Sequence, residues 1–185
     1  MSRYDALLCF ERHATSKIRS EEDLFNITSL GFRGEALAAI ASVSKITLTT
    51  CTISSDTGTR IEIGVNHQKE TSDASPSAGT TLEVRDIFYN TPARRKFLKS
   101  NPTELSHIIE TVMQKAFAYP EIGFTLTHND GELVNAPSAA TLEERFAQLY
   151  GEELAEEFIR VGIEERGMKI YGFVSKPDFT RAGRS

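Results

Sequence analysis

The chain has 185 residues, 39 % of them hydrophobic and 25 % charged, with a formal net charge of −5. That suits one globular domain, or one with part of a second. No apolar run approaches the roughly 20 residues needed to span a bilayer, and Met1-Ser2-Arg3-Tyr4-Asp5 lacks the charged-then-apolar pattern of a secretion signal. A cytoplasmic protein without membrane contact is expected. Cys9 and Cys51 are the only cysteines, and His13, His67, His107 and His128 are scattered, so neither a disulfide framework nor a metal site is expected. The negative charge argues against a dedicated nucleic-acid binder, although a local basic patch would suffice for one.

In chain order, residues 4–12 have helical composition, with Leu7, Leu8 and Phe10 available for burial. A polar stretch, Ala14 to Arg19, follows. Ser20 with Asp23 forms a capping box that predicts a short helix through Leu24, Phe25 and Ile27. Gly31 and Gly34 bracket a turn into an Ala/Leu-rich helix from Glu35 to Ala41. Ile46, Leu48 and Thr50 alternate with polar neighbours, as do Ile61 with Ile63 and Leu82 with Val84, so strands are expected there. The Ser-, Thr- and Asp-rich stretch from His67 to Ala78 reads as a surface loop.

Thr91-Pro92 reads as an N-cap followed by proline at the first helical position, and Asn101-Pro102-Thr103-Glu104 repeats the signal. Leu105, Ile108, Ile109, Val112 and Ala116 then lie on one helical stripe, which Tyr119-Pro120 ends. Phe124 and Leu126, Asn129-Asp130-Gly131 and Leu133 predict a β-hairpin. Thr141 caps a further helix that Gly151 terminates. Two apolar strands, Phe158 to Ile163 and Lys169 to Val174, close the chain as a hairpin around Glu165-Arg166-Gly167. The acidic run from Glu143 to Glu157 reads as a solvated helix face.

Four segments carry candidate chemistry. In Gly31-Phe32-Arg33-Gly34-Glu35-Ala36-Leu37 the glycines permit close backbone approach, free N–H groups open a helix, and Arg33 offers a fork for phosphate oxygens. The same residues would also serve a plain loop-to-helix turn with Arg33 in a surface ion pair. Thr15-Ser16-Lys17 places two hydroxyls and an ammonium in sequence, suited to a triphosphate or to simple loop capping. Thr80, at the start of a strand after Gly79, offers one more hydroxyl. Arg94, Arg95, Lys96 and Lys99 form a basic cluster that fits DNA or phosphate contact, a solvated face, or pairing with Asp86 and Glu83. No Gly-x-x-x-x-Gly-Lys-Ser/Thr phosphate loop is present.

Taken together, Arg12-His13-Ala14-Thr15-Ser16-Lys17-Ile18, Gly31-Phe32-Arg33-Gly34-Glu35-Ala36-Leu37 and Gly79-Thr80-Thr81-Leu82-Glu83-Val84 resemble the MutL family of DNA mismatch-repair proteins. So does Phe88-Tyr89-Asn90-Thr91-Pro92-Ala93-Arg94-Arg95-Lys96-Phe97-Leu98, and the resemblance runs over essentially the whole chain. It implies an α+β fold, an incomplete ATPase sandwich of the GHKL (Bergerat) type with helices on a mixed sheet. Residues 1–138 would be part of that domain, and residues 139–185 the start of a ribosomal-S5-like second domain. It implies ATP as ligand with Mg²⁺ in the whole protein. Thr15, Ser16 and Lys17 would belong to a lid over the phosphates, Gly31 and Arg33 to Leu37 to the backbone around them, and Thr80 would sit beside them. DNA, a MutS-type mismatch-recognition protein and a second copy of the ATPase region are the implied partners.

The family pattern also includes a helix with a glutamate that activates water and an asparagine that holds Mg²⁺, then an Asp-x-Gly-x-Gly turn that reads adenine. None of these occurs here, so Met1 reads as an internal methionine of a longer chain, and no catalytic residue or metal ligand is expected in this stretch. The stretch also stops before the lysine that the second domain sends to the γ-phosphate. Without those groups the electrostatic terms that favour the transition state are lacking. A non-catalytic DNA- or partner-binding module, or a truncated product, are the alternative readings.

Overall fold

Alternation of apolar and polar residues in Lys45–Cys51 makes a strand with one buried face, and the rest of the first unit is arranged on it. The computed structural model describes residues 1–179 except Arg19, Thr28, Asn66 and His67; Arg19 of the polar stretch and His67 of the expected loop therefore lie outside the described residues. Two compact units divide after Leu98, at 1–98 and 99–185.

In the first unit, α1 (Arg3–Leu8) precedes α2 (Ala36–Ala41). The sheet that follows comprises β1 (Lys45–Cys51), β2 (Gly58–Ile63), β3 (Lys69–Ala74) and β4 (Gly79–Arg85), in the order β3-β2-β1-β4, before a single helical turn α3 (Pro92–Arg95). Leu48 stands opposite Ile61 on β2 and Leu82 on β4. That face meets the two helices: Ala6 and Ala41 pack with Ile46, Leu48, Ile61 and Ile63, and Leu7, Phe10 and Ile40 close the edges. Each fully buried aliphatic side chain contributes about 1.5–3 kcal/mol, so these few residues dominate the stability of the unit.

Several expectations change. The helix read over residues 4–12 stops at Leu8, because Cys9 caps it and the chain turns sharply at His13 (φ 64°). Asp23 does accept from the Ser20 N–H at 3.0 Å, but the segment it opens is a 3₁₀ turn, Glu22–Asn26, that buries nothing. The expected loop from His67 to Ala78 contains β3, whose backbone pairs with β2 while its side chains from Lys69 to Asp73 stay exposed. An edge strand held by its backbone carries no hydrophobic period, which is why the sequence hid it. Every pairing is antiparallel, so no parallel pair of the expected mixed sheet lies among the described strands. Consecutive strands here join by short connections, which favour antiparallel neighbours.

The second unit comprises α4 (Asn101–Ala118), β5 (Phe124–His128), β6 (Gly131–Ala136), α5 (Leu142–Tyr150), α6 (Glu152–Glu156), β7 (Phe158–Glu165) and β8 (Met168–Ser175). The two-residue turn Asn129-Asp130 has positive φ at both positions (48° and 62°), as a tight hairpin requires. The stripe on α4 places Ile109, Val112 and Ala116 over Val134 and Ala136, whereas Ile108 points outward. Phe146 of α5 stacks against Phe158 of β7 and Phe173 of β8, with ring centroids 5.0 and 4.7 Å away. The other face of that hairpin, Ile159, Val161, Ile163 and Ile170, is 43 to 62 % exposed. The β5–β6 hairpin and α5 share the second compact unit.

Arg145, with no accessible surface, joins these pieces. Its guanidinium donates to the carbonyl oxygens of Ala136 (2.9 Å), Pro120 (2.7 Å) and Ile122 (2.6 Å), tying α5 to both sides of the β5–β6 hairpin. Replacing Arg145 with Leu removes three hydrogen bonds from a charged donor, worth about 1.5–3 kcal/mol each, although the Pro120 carbonyl keeps the Ala139 N–H at 2.8 Å. Urea denaturation of the Arg145→Leu chain is expected to show a loss of at least about 3 kcal/mol. A loss below about 1 kcal/mol would show that water or relaxation satisfies those carbonyls.

Candidate functional site

The polar stretch after α1 and the glycine turn before α2 lie against each other. Gly31 and Gly34 both take positive φ, 77° and 62°. At Gly34 the approach is so close that an added Cβ would lie 2.5 Å from the Ala14 carbonyl oxygen. The Thr15 hydroxyl donates to the Gly31 carbonyl at 3.1 Å and accepts from the Lys17 N–H at 3.2 Å. His13 Nδ1 stands 2.7 Å from Glu35 Oε1. The separation makes an ion pair whenever the imidazole carries its second proton; Oε1 is buried and meets no donor in hydrogen-bonding geometry.

Between the two segments lies a cavity of about 190 Å³. Thr15, Ser16, Lys17, Gly31, Gly34, Glu35, Ala36 and Leu37 all line it, so eight of the residues singled out in the sequence come together in one place. Lys17 forms no ion pair among the described residues, and neither its ammonium nor the Ser16 hydroxyl has a protein hydrogen-bond partner there. Cys9 and Ala14 complete the wall; Ala14 belongs to the first motif without an assigned role, and nothing in the sequence marked Cys9. Burial, only partly offset by the charge of Lys69, pushes the Cys9 thiol above its ordinary value, so it stays neutral at neutral pH. A small hollow with an unpaired ammonium, a free hydroxyl and glycine-flanked backbone suits an anion of phosphate type.

Two expected members stand apart. Arg33 does not line the cavity; its guanidinium lies over the Phe32 ring, 5.4 Å from the centroid. Thr80 faces the helix-covered side of the sheet and shares a 2.8 Å hydrogen bond with Thr50, whose hydroxyl also donates to the Gly79 carbonyl. A second hollow of about 480 Å³ shares Cys9, Ala14, Thr15 and Ser16 with the first and extends to Met1, whose ammonium donates to Thr50. A larger hollow of about 540 Å³ lies on the opposite sheet face. Its charges neutralise one another, as in Arg60–Glu62 and Arg85–Glu83 (2.7 Å), which leaves it nothing with which to hold an anion.

The basic cluster is exposed. Arg94 and Arg95 end α3 and Lys96 caps it, while Lys99 belongs to the second unit. The acids considered as their partners are engaged elsewhere: Asp86 pairs with Lys45 at 2.6 Å and Glu83 with Arg85. The hydrogen bond from Lys45 holds the Asp86 carboxyl below its ordinary range. None of the four cations forms an ion pair among the described residues. No group of three or more His, Cys, Asp or Glu is placed to hold a metal ion among the described residues, and none of their helices is long and apolar enough to cross a membrane.

No family model matches the chain. It is 46 % identical over 168 residues to the DNA mismatch repair protein MutL of Solibacter usitatus, covering 91 % of this chain and 26 % of that protein. It is 45 % identical over 184 residues to the MutL of Syntrophotalea carbinolica, covering 99 % and 29 %. The chain thus spans a little over a quarter of the length of these curated relatives. Among solved structures, the Aquifex aeolicus MutL ATPase domain complexed with ADP superposes with a TM-score of 0.68 at 30 % identity, over 88 % of this chain and 62 % of that one. The N-terminal domain of another DNA repair protein superposes with a TM-score of 0.72 at 19 % identity, which speaks to the fold alone.

The two glycines predict unequal effects. Gly31→Ala meets only the left-handed backbone penalty of about 1–2 kcal/mol, since nothing lies within 4 Å of its added Cβ. Gly34→Ala must in addition push the Ala14 backbone away, opening the cavity. Thermal melts are expected to show the larger loss for Gly34→Ala, and equal losses would refute the close approach.

Proposed function

Because the chain belongs, over the stretch it spans, to the MutL family of DNA mismatch repair proteins, we propose that its cavity is the phosphate-facing share of an ATP site in a repair ATPase. The observation that carries this reading is the convergence of Thr15-Ser16-Lys17 with the Gly31 to Leu37 turn on one small hollow. Ser16 and Lys17 donate to phosphate oxygens, and Thr15 holds the two segments together. Arg33 and Thr80, outside the cavity wall, act at the far end of a bound triphosphate or on closure around it. The Aquifex domain complexed with ADP supports a nucleotide as the ligand. No cluster of His, Cys, Asp or Glu that could hold Mg²⁺ lies among the described residues.

The groups that activate water and read adenine in the family are not among these 185 residues, so we assign the chain binding and not turnover. In the whole protein, nucleotide binding would dimerise two such regions, engage DNA and coordinate repair with a MutS-type protein. Residues 139–185 as the start of a ribosomal-S5-like domain belong to the same proposal. Calorimetric titration with ATP is expected to detect weak binding that Lys17→Ala lowers about tenfold or more, the worth of a charge-assisted phosphate contact. Affinity untouched by Lys17→Ala and Ser16→Ala together would remove the phosphate assignment. Mg²⁺-dependent hydrolysis abolished by changing Arg33 and Lys17 would overturn the view that the chain only binds.

A second reading rests on the basic cluster. Arg94, Arg95, Lys96 and Lys99 are exposed and their nearby acids are already paired, which frees them for DNA phosphates. Each neutralised phosphate adds close to one to the salt slope of binding. Charge reversal of all four is expected to abolish binding to duplex DNA and flatten its salt dependence. Retention of full binding would assign DNA contact elsewhere.

A further inference from the structure

Seen as a set of charges, the cavity wall contains one acid and one base. Glu35 and Lys17 both line it, the Cys9 thiol is neutral, and every other lining residue is uncharged. A carboxylate in the wall of an anion site has two ill effects: it repels the ligand, and it is the natural partner for the ammonium meant to receive that ligand. Lys17 nevertheless forms no ion pair among the described residues, and Glu35 pairs instead with His13, which is no part of the wall. His13 is 84 % exposed at its side chain and sits in the left-handed region (φ 64°). It buries little, so packing does not account for it. Of the neighbouring charges, Glu11 lies 3.8 Å from Lys69 and Arg33 lies over Phe32, while Arg12 forms no ion pair among the described residues.

We infer that His13 is a positioning residue of the anion cavity: it takes up the Glu35 carboxylate and thereby leaves the Lys17 ammonium free for a polyphosphate. The inference rests on the ATP reading for the identity of the ligand, but its core, the choice of partner by Glu35, is a property of the protein alone. Removal of His13 releases the carboxylate to Lys17, and the site then competes with itself. Adding Glu35→Gln removes the competitor and restores the free ammonium even without His13. A merely structural role for His13 predicts no such rescue.

The test uses the full chain, with His13→Asn as the variant, since Asn tolerates the left-handed backbone, and His13→Gly as a second that carries no donor. Titration with ATP and with inorganic tripolyphosphate is expected to show about fivefold weaker binding in either variant, the scale of one exposed ion-pair competitor. Binding should return to the wild-type value on adding Glu35→Gln. In parallel, ¹³C-dimethylated lysines are observed by NMR, with the Lys17 signal assigned from Lys17→Arg. That signal is expected to move in His13→Asn and to revert in His13→Asn/Glu35→Gln. Failure of the wild-type chain to bind either polyphosphate would sink the ATP reading alone, because the Lys17 signal still decides the role of His13. A Lys17 signal identical in wild type, single and double variants, or a double variant that binds no better than the single, overturns the inference.

Discussion

The approach of the Gly34 backbone onto Ala14, too close for any Cβ between them, sets the spacing of the two segments that make the cavity. Three further features depend on it. Thr15 can reach the Gly31 carbonyl, His13 can reach Glu35, and the backbone between Gly31 and Leu37 can form a wall facing Ser16 and Lys17. A side chain at position 34 would have to widen that 2.5 Å approach to the 3.4 Å of ordinary contact, which strains all three contacts together. The glycine therefore acts first through steric absence, and its permissive backbone is the second requirement.

The sheet gives that contact its footing. Leu7, Cys9 and Phe10, at the end of α1, and Ile40 and Ala41, at the end of α2, are pinned by the Ile46, Leu48 and Ile61 core. The two helices thus carry the ends of the cavity segments to fixed positions, while the segments themselves bury almost nothing. This division of labour is common where a ligand must be received: packing energy resides in the regular elements, and the polar loops between them are held by a few directional contacts. Thr15 belongs to those contacts, since its one proton is committed to the Gly31 carbonyl, whereas the Ser16 hydroxyl and the Lys17 ammonium have no protein partner among the described residues.

Legibility in the sequence followed the same division. β1, β2 and β4, the α4 stripe, the Asn129-Asp130 turn and the Thr141 cap could be read directly, because period-2 and period-3.6 burial and turn chemistry are local signals. β3 was hidden because its order comes from a partner strand. The 3₁₀ turn at Glu22–Asn26 differs from the expected helix because Leu24 and Phe25 find nothing to bury against. In the site, Thr15 to Lys17 and Gly31 to Leu37 were marked by type and spacing, yet each was weak alone, and only their juxtaposition makes a cavity. Cys9 was invisible, since a cysteine at a helix end has no pattern in the chain, and His13 stood inside the first motif without a role, because its contact with Glu35 depends on the fold.

The electrostatics of the wall follow from the same geometry. An acid in the first position before a short helix is favourable for the helix by itself, whatever the loop opposite contains. That local preference works against an anion site built on the same turn. By the role inferred for His13, the conflict is resolved from the opposing segment: the turn that carries Ser16 and Lys17 also carries His13, outside the cavity wall and within 2.7 Å of the carboxylate. On the proposed reading, recognition and charge balance come from one stretch of five residues, His13 to Lys17, and the clasp at Gly34 keeps both in register. A change that loosens the clasp is therefore felt twice, as a wider cavity and as a carboxylate returned to it.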